Sequence, residues 1–301
     1  MKKLILIFAM FSLSCSTEEQ DISIDNTDKD DTEESETSDF TFYYNLHSSL
    51  NDYYKDSIKS IIGRLEKIIP VEIFNGTNVG WGEVNGVSVY SWKKGESKPF
   101  YDEIGDTDQC ICGYIDNKLI MSLQMTSGDL DYDGNFKYAL LAHEYFHVFQ
   151  MYHSLGLNID NFWLIEGQAA TIESLYVKEF HSDPNYLKSF LENDFYSWED
   201  AINNVTDYEV YGLGSHGDIT VFMILTLSKL LQDTGVSEEK AFQIILQDFW
   251  KTKPSNNNWK LKFSETFSMT VEEFYLKLND FKDDPMSVMP SHNLKLENIF
   301  K

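Results

Sequence analysis

The sequence predicts an α+β protein with a small mixed β-sheet in an N-terminal lobe and a mainly α-helical C-terminal lobe. Three observations carry this. Hydrophobic residues make up 42% of the 301 residues and aromatics 15%, enough apolar material for a sizeable core. Between Val71 and Met125 the pattern is one of short β-prone runs broken by Gly, Asn, Asp and Pro, whereas from Asn135 onward helical spacing dominates. The stretch LLAHEYFHVFQ, Leu140 to Gln150, stands at the change-over, where a cleft between the two lobes is expected.

Residues 1–14 read as a signal segment rather than as part of the fold. Lys2 and Lys3 give a positive start, and Leu4 to Leu13 form an apolar run too short to span a bilayer comfortably. Ser12 and Ser14 lead into Cys15, so the segment resembles a bacterial lipoprotein signal whose Cys15 becomes the acylated first residue. An ordinary cleaved signal is the alternative. Residues 15–39 are acidic, rich in Ser and Thr, and poor in large apolar side chains, which predicts a disordered tether. Glu18 and Glu19 resemble export signals of surface lipoproteins. The expected location is a lipid anchor on the bacterial outer membrane, facing the periplasm or the surface, with no other membrane contact.

Residues 40–301 form the expected folded domain. Ile58, Ile61, Ile62, Leu65, Ile68 and Ile69 recur at helical spacing and are followed by Pro70. VEIF, GVSVYSW, QCICGYI and KLIMSLQM supply the sheet. Cys110 and Cys112 are read either as a tight disulfide or as two thiols on a strand, with no catalytic role. Helices are expected over residues 136–155, 162–180, 215–232, 237–250 and 271–281. The net charge of −25 excludes nucleic acid and an anionic lipid surface as partners.

Asp129, Asp131, Asp133 and Gly134 reproduce the first half of a calcium loop, but Leu140 stands where the closing Glu belongs. The two readings are a Ca2+ site bracing the next helix and an acidic loop capping it.

His143 and His147 are four residues apart, so a helix presents both imidazoles on one face to a single ion. Glu144 is rotated by about 100° from His143, beside the metal rather than on it, where it can act on water. Glu166, in FWLIEGQAATIES, comes nineteen positions after His147, with eighteen residues between them. Two His and one Glu are a known catalytic zinc set that leaves a fourth position open. Gly167 and Ala169 let that second helix pack closely.

This spacing resembles the gluzincin pattern, and Trp163-Leu164-x-Glu166-Gly167-x-Ala169-x-x-x-Glu173 is similar to the matching segment of aminopeptidase N-like enzymes. The resemblance covers roughly residues 140–174. It implies a zincin-like fold, a Zn2+ cofactor and peptide or protein substrates, with Glu144 as the base. It also implies that Glu173 orients a ligand histidine; a solvated helix charge is the alternative there. The family uses a downstream Tyr or His to hold the oxyanion, and Tyr211, His216 and Tyr208 are the candidates, near the glycines Gly212, Gly214 and Gly217.

Two departures bear on specificity. No Gly-x-Met-Glu-Asn segment for a substrate amine is found, which favours an endopeptidase over an aminopeptidase. Ala170 stands where thermolysin-like enzymes carry Asp. A zinc-bound pseudoenzyme that binds proteins or glycans, and a structural lipoprotein with an accidental motif, are the rival readings.

Overall fold

The computed structural model describes residues 39–107, 109–131, 134–157, 159–192, 198–210 and 217–301. Its architecture is a small sheet backed by helices, followed by a long helical assembly. Strand β1 (Thr41–Leu46) leads into α1 (Asp52–Ile68), which starts at Asn51, whose side chain accepts a hydrogen bond from the Tyr54 amide at 2.8 Å. One face of α1 buries Tyr54, Ile58, Ile61, Ile62 and Leu65, as the apolar spacing dictates. A two-stranded ribbon, β2 (Phe74–Asn75) and β3 (Glu83–Val84), then precedes β4 (Gly86–Lys93). After α2 (Tyr101–Ile104) come β5 (Gln109–Ile115) and β6 (Lys118–Met125).

The main sheet has the order β1-β4-β6-β5; β1 and β6 run parallel to β4, and β5 runs antiparallel to β6 at the edge. The β5–β6 connection is the two-residue turn Asp116-Asn117. Both residues have positive φ (50° and 61°), the hand that matches strand twist in tight hairpins. Gly113, at φ 72°, sits at the register shift between Cys112 and Tyr114, where one extra residue bulges out of β5. Cys110 and Cys112 lie on this strand, opposite Ser122 and Ile120.

α3 (Ser127–Asp131) is a single turn, followed by the two longest helices, α4 (Phe136–Ser154) and α5 (Phe162–Phe180). Both are buried around most of their circumference, the mark of helices inside a protein rather than on its surface. Tyr145 links α4 to the sheet lobe by stacking on Phe42 at 5.5 Å and donating to the carbonyl of Ile69 at 2.8 Å. α4 ends with Leu155 in the left-handed region (φ 56°), and the Gly156 amide returns to the Met151 carbonyl at 2.8 Å. Asn161 caps α5 by accepting from the Leu164 amide at 3.0 Å.

The rest is helical: α6 (Asn185–Leu191), α7 (Trp198–Asn203), a 3-10 turn (Val205–Glu209), α8 (Gly217–Asp233) packed along α5, and α9 (Glu238–Gln243). A π turn (Ile244–Asp248) joins α9 to α10 (Phe249–Lys251), and α11 (Trp259–Phe267), α12 (Val271–Leu278) and α13 (Leu296–Ile299) complete the chain. The single helix expected over residues 237–250 is therefore interrupted by a wider turn. The last residues are laced back to α5. Lys178 donates to the carbonyls of Ser291 (2.8 Å) and Leu294 (3.4 Å), Glu179 accepts from the Leu296 amide at 2.9 Å, and Phe300 meets Phe149 of α4 edge-on at 5.4 Å. No helix among the described residues is long and apolar enough to cross a membrane.

Candidate metal centre

α4 carries His143 and His147 one turn apart, both buried, with ring centroids 4.9 Å apart and planes at 78°. The next helix, α5, brings Glu166 to them: its Oε2 lies 3.1 Å from His143 Nε2 and 3.7 Å from His147 Nε2. One ligand atom from each of the three lies within 4.8 Å of the others. A tetrahedral zinc ion, with ligands at about 2.0–2.1 Å, spaces its donors by roughly 3.3 Å. The two separations to Glu166 straddle that spacing, and two imidazoles with a carboxylate are a donor set that suits such an ion. Among the described residues this is the one group of three or more His, Cys, Asp or Glu with metal-binding geometry.

The outward nitrogens of both histidines are engaged elsewhere. His143 Nδ1 lies 2.9 Å from Glu173 Oε2, and the other oxygen of Glu173 accepts from the Tyr186 hydroxyl of α6 at 3.4 Å. His147 Nδ1 lies 2.8 Å from Gln150 Oε1, and Gln150 Nε2 donates to the Ile165 carbonyl of α5 at 3.2 Å. The nitrogens that face Glu166 are thus the inner Nε2 atoms. Two imidazole lone pairs and a carboxylate facing one another need a positive charge among them, a proton or a metal ion.

The electrostatics agree. Burial on its own pushes both histidines toward neutrality. At His143 the bonds to Glu166 and Glu173 outweigh it and hold the ring well above the ordinary histidine value. At His147 the charge of Glu166 does the same, with a smaller contribution from Glu144. Burial pushes Glu166 up, but the two imidazoles prevail, and its carboxyl is held far below the usual carboxylate range.

Local packing fixes the approach of the two helices to this point. Glu144, next to His143, is buried in the same wall. Gly167 follows Glu166 and faces α8. A Cβ there would stand 2.6 Å from the Thr220 carbonyl oxygen and 3.1 Å from Ile224 Cγ1. Glycine is thus what lets α5 and α8 touch backbone to backbone beside Glu166.

Comparison with known proteins found no family model, no curated protein and no solved structure that matches the chain. The chain is an α+β protein with two histidines and a glutamate placed closely enough to bind a metal ion.

The other residues singled out in the sequence fall in different places. Tyr211, His216, Asp133 and Cys15 lie outside the described residues. Tyr208 is buried in the 3-10 turn before α8. Asp129 is turned back on Thr126: its Oδ2 accepts from the Thr126 amide at 3.0 Å and hydroxyl at 2.6 Å, while the Asp129 amide donates to Thr126 Oγ1 at 3.1 Å. This is a reciprocal cap on α3 rather than on α4. Asp131 ends α3, and the Asp129 carboxylate belongs to no metal-sized cluster among the described residues. A further histidine of α4, His153, is held down to about 4 by burial and by Lys251 and packs on Phe149 away from the centre.

Sequence reading missed Gln150 and Tyr186. A Gln within an otherwise apolar stretch, one turn after His147, was a usable signal; Tyr186, on a separate short helix, left none.

Proposed function

We propose that the chain is a zinc-dependent metallopeptidase of the gluzincin type, an endopeptidase tethered outside the cytoplasm by a lipid on Cys15, on the outer membrane. The observation that carries this reading is the His143–His147–Glu166 cluster with Glu144 beside it on α4. His143, His147 and Glu166 hold the ion. Bound zinc supplies a Lewis acid for the scissile carbonyl and acidifies water at its open position. Glu144 takes the proton from the attacking water and passes it to the leaving amine. Glu173 keeps the His143 ring facing inward. Tyr211 is the first choice for the group that steadies the oxyanion, with His216 and Tyr208 as the others. The placement of β5 supports a peptide substrate: among the described residues it pairs in the sheet on one side only, and an extended chain can add to such an edge.

The test is cleavage of a mixed peptide library by the protein lacking its signal segment, read by mass spectrometry beside Glu144→Gln. The unaltered protein should cleave within peptides whether or not their N-terminus is blocked. The variant should retain zinc and lose at least about 100-fold in rate, the lower range for a general base. Zinc binding with no cleavage by either protein would favour a binding scaffold, and no zinc at all would refute the metal centre.

A further inference from the structure

We propose that Gln150 is a positioning residue of the metal centre: it selects the nitrogen that His147 turns toward the ion and straps that histidine to the helix bearing Glu166. The inference rests on the reading of the cluster as a zinc site, and it concerns a residue with no part in that reading's motif.

Gln150 lies three residues after His147 on α4, on the same face of the helix, and is fully buried, so no solvent competes for its amide. The amide is oriented by what it touches. The Ile165 carbonyl, 3.2 Å from Nε2, can only accept, so the NH2 end must point there. Turning the amide over would set two oxygens against each other. The carbonyl end is therefore fixed on His147 Nδ1 at 2.8 Å, and it too can only accept. Whenever the ring is neutral, as a metal ligand must be, His147 then carries its proton on Nδ1 and turns the Nε2 lone pair inward, on the side of Glu166 Oε2. Because Ile165 immediately precedes Glu166, one side chain joins the two ligand-bearing helices at the ligand positions themselves.

His143 has a different device. Its Nδ1 partner is the carboxylate of Glu173, which accepts from Tyr186 at its other oxygen and makes no bond to a backbone carbonyl. At His147 a carboxylate would serve the ring but repel the Ile165 oxygen. Only an amide performs both tasks, and glutamine has the reach from this position.

The experiment compares zinc affinity by competition with a chromophoric chelator, together with the absorption spectrum of the cobalt-substituted protein. The unaltered protein, Gln150→Met and Gln150→Glu are measured side by side. Met keeps the length and the burial but makes neither bond; Glu keeps the acceptor for Nδ1 and loses the bond to Ile165. Gln150→Met should bind zinc about 10- to 100-fold more weakly, the usual loss when the partner of a ligand histidine is removed, with an altered cobalt spectrum. Gln150→Glu should recover affinity to within several-fold and keep the cobalt spectrum, while the melting temperature of its metal-free form falls.

Equal affinity and an equal spectrum in Gln150→Met would overturn the proposal, as would a Gln150→Glu variant as weak as Gln150→Met. If Gln150→Met does not fold, Gln150→Glu decides: near-normal affinity supports the proposal, and a loss of tenfold or more overturns it. If the unaltered protein binds no zinc, the proposed function falls with it; if it binds and Gln150→Met binds equally, only this inference falls.

Discussion

Gly167→Ala sets two opposing effects against each other at the contact between α5 and α8. In a solvent-facing helix the change gains about 1 kcal/mol, because alanine loses less freedom on folding. Here the added Cβ would stand 2.6 Å from the Thr220 oxygen and 2.9 Å from its carbon, both backbone atoms that cannot rotate aside. Ordinary contact begins near 3.4 Å, so the helices must separate by about 0.8 Å at this point. Overpacking of this kind costs about 1–3 kcal/mol, and a clash with backbone belongs at the upper end. The net expectation is a loss of about 1–2 kcal/mol, a melting temperature lower by about 2–8 °C for a domain of this size. Glu166 is the adjacent residue, and a shift of about 0.8 Å exceeds the roughly 0.5 Å that a metal site tolerates. Zinc affinity should therefore fall more than tenfold. Calorimetry of the metal-free protein and chelator competition check the two effects. A variant stabilised by about 1 kcal/mol with unchanged zinc affinity would refute the close-packing argument. A lower melting temperature with normal affinity would show that α8 yields rather than α5.

Glu173→Gln should keep the shape around His143 but lose the charge that holds its ring, lowering zinc affinity about 10- to 100-fold by the same competition assay; an unchanged affinity would leave Glu173 a buried helix charge. The pH dependence follows from the direction of each shift. Without metal, the raised histidines stabilise the fold fully below their ordinary value of 6.5, and that contribution is lost as pH rises through their higher folded values. The lowered Glu166 stabilises above its ordinary 4.5 and loses its contribution only as pH falls through its depressed folded value. Zinc must displace the imidazole protons, so the rise in melting temperature on adding zinc should be larger at pH 8 than at pH 6. An equal or larger rise at pH 6 would contradict this electrostatic account.

The parts of the protein that were legible in its sequence are those specified locally. The residues expected in the second metal-bearing helix, 162–180, are the residues of α5, because Asn161 caps it and an apolar run fills it. α4 was equally plain. β1 was not: TFYYNL precedes a strong helical pattern, and its strand character depends on a parallel partner more than forty residues away in β4. VEIF, read as a strand, contributes only Phe74 to β2, which is two residues long. α11 escaped notice because Trp259, Phe263 and Phe267 bury one narrow stripe in an otherwise polar segment. The π turn at Ile244–Asp248 adds a residue to one turn without changing the apolar character of the sequence. At the candidate metal centre, spacing pointed to His143, His147 and Glu166 because they share two helices. The role of Gln150 depends on the Ile165 carbonyl, and no pattern within α4 encodes where another helix will place a backbone oxygen.

The lacing of residues 291–301 onto α5 and α4 bears on when the centre can form. Until these residues have left the ribosome, Lys178 and Glu179 lack the carbonyl and amide partners they hold in the finished fold, and Phe149 has an open flank where Phe300 will rest. The two ligand-bearing helices thus reach their final packing only after the whole folded domain has been translated. That order of events is a form of latency: the nascent chain carries its candidate ligand set in sequence well before it can hold a metal in space.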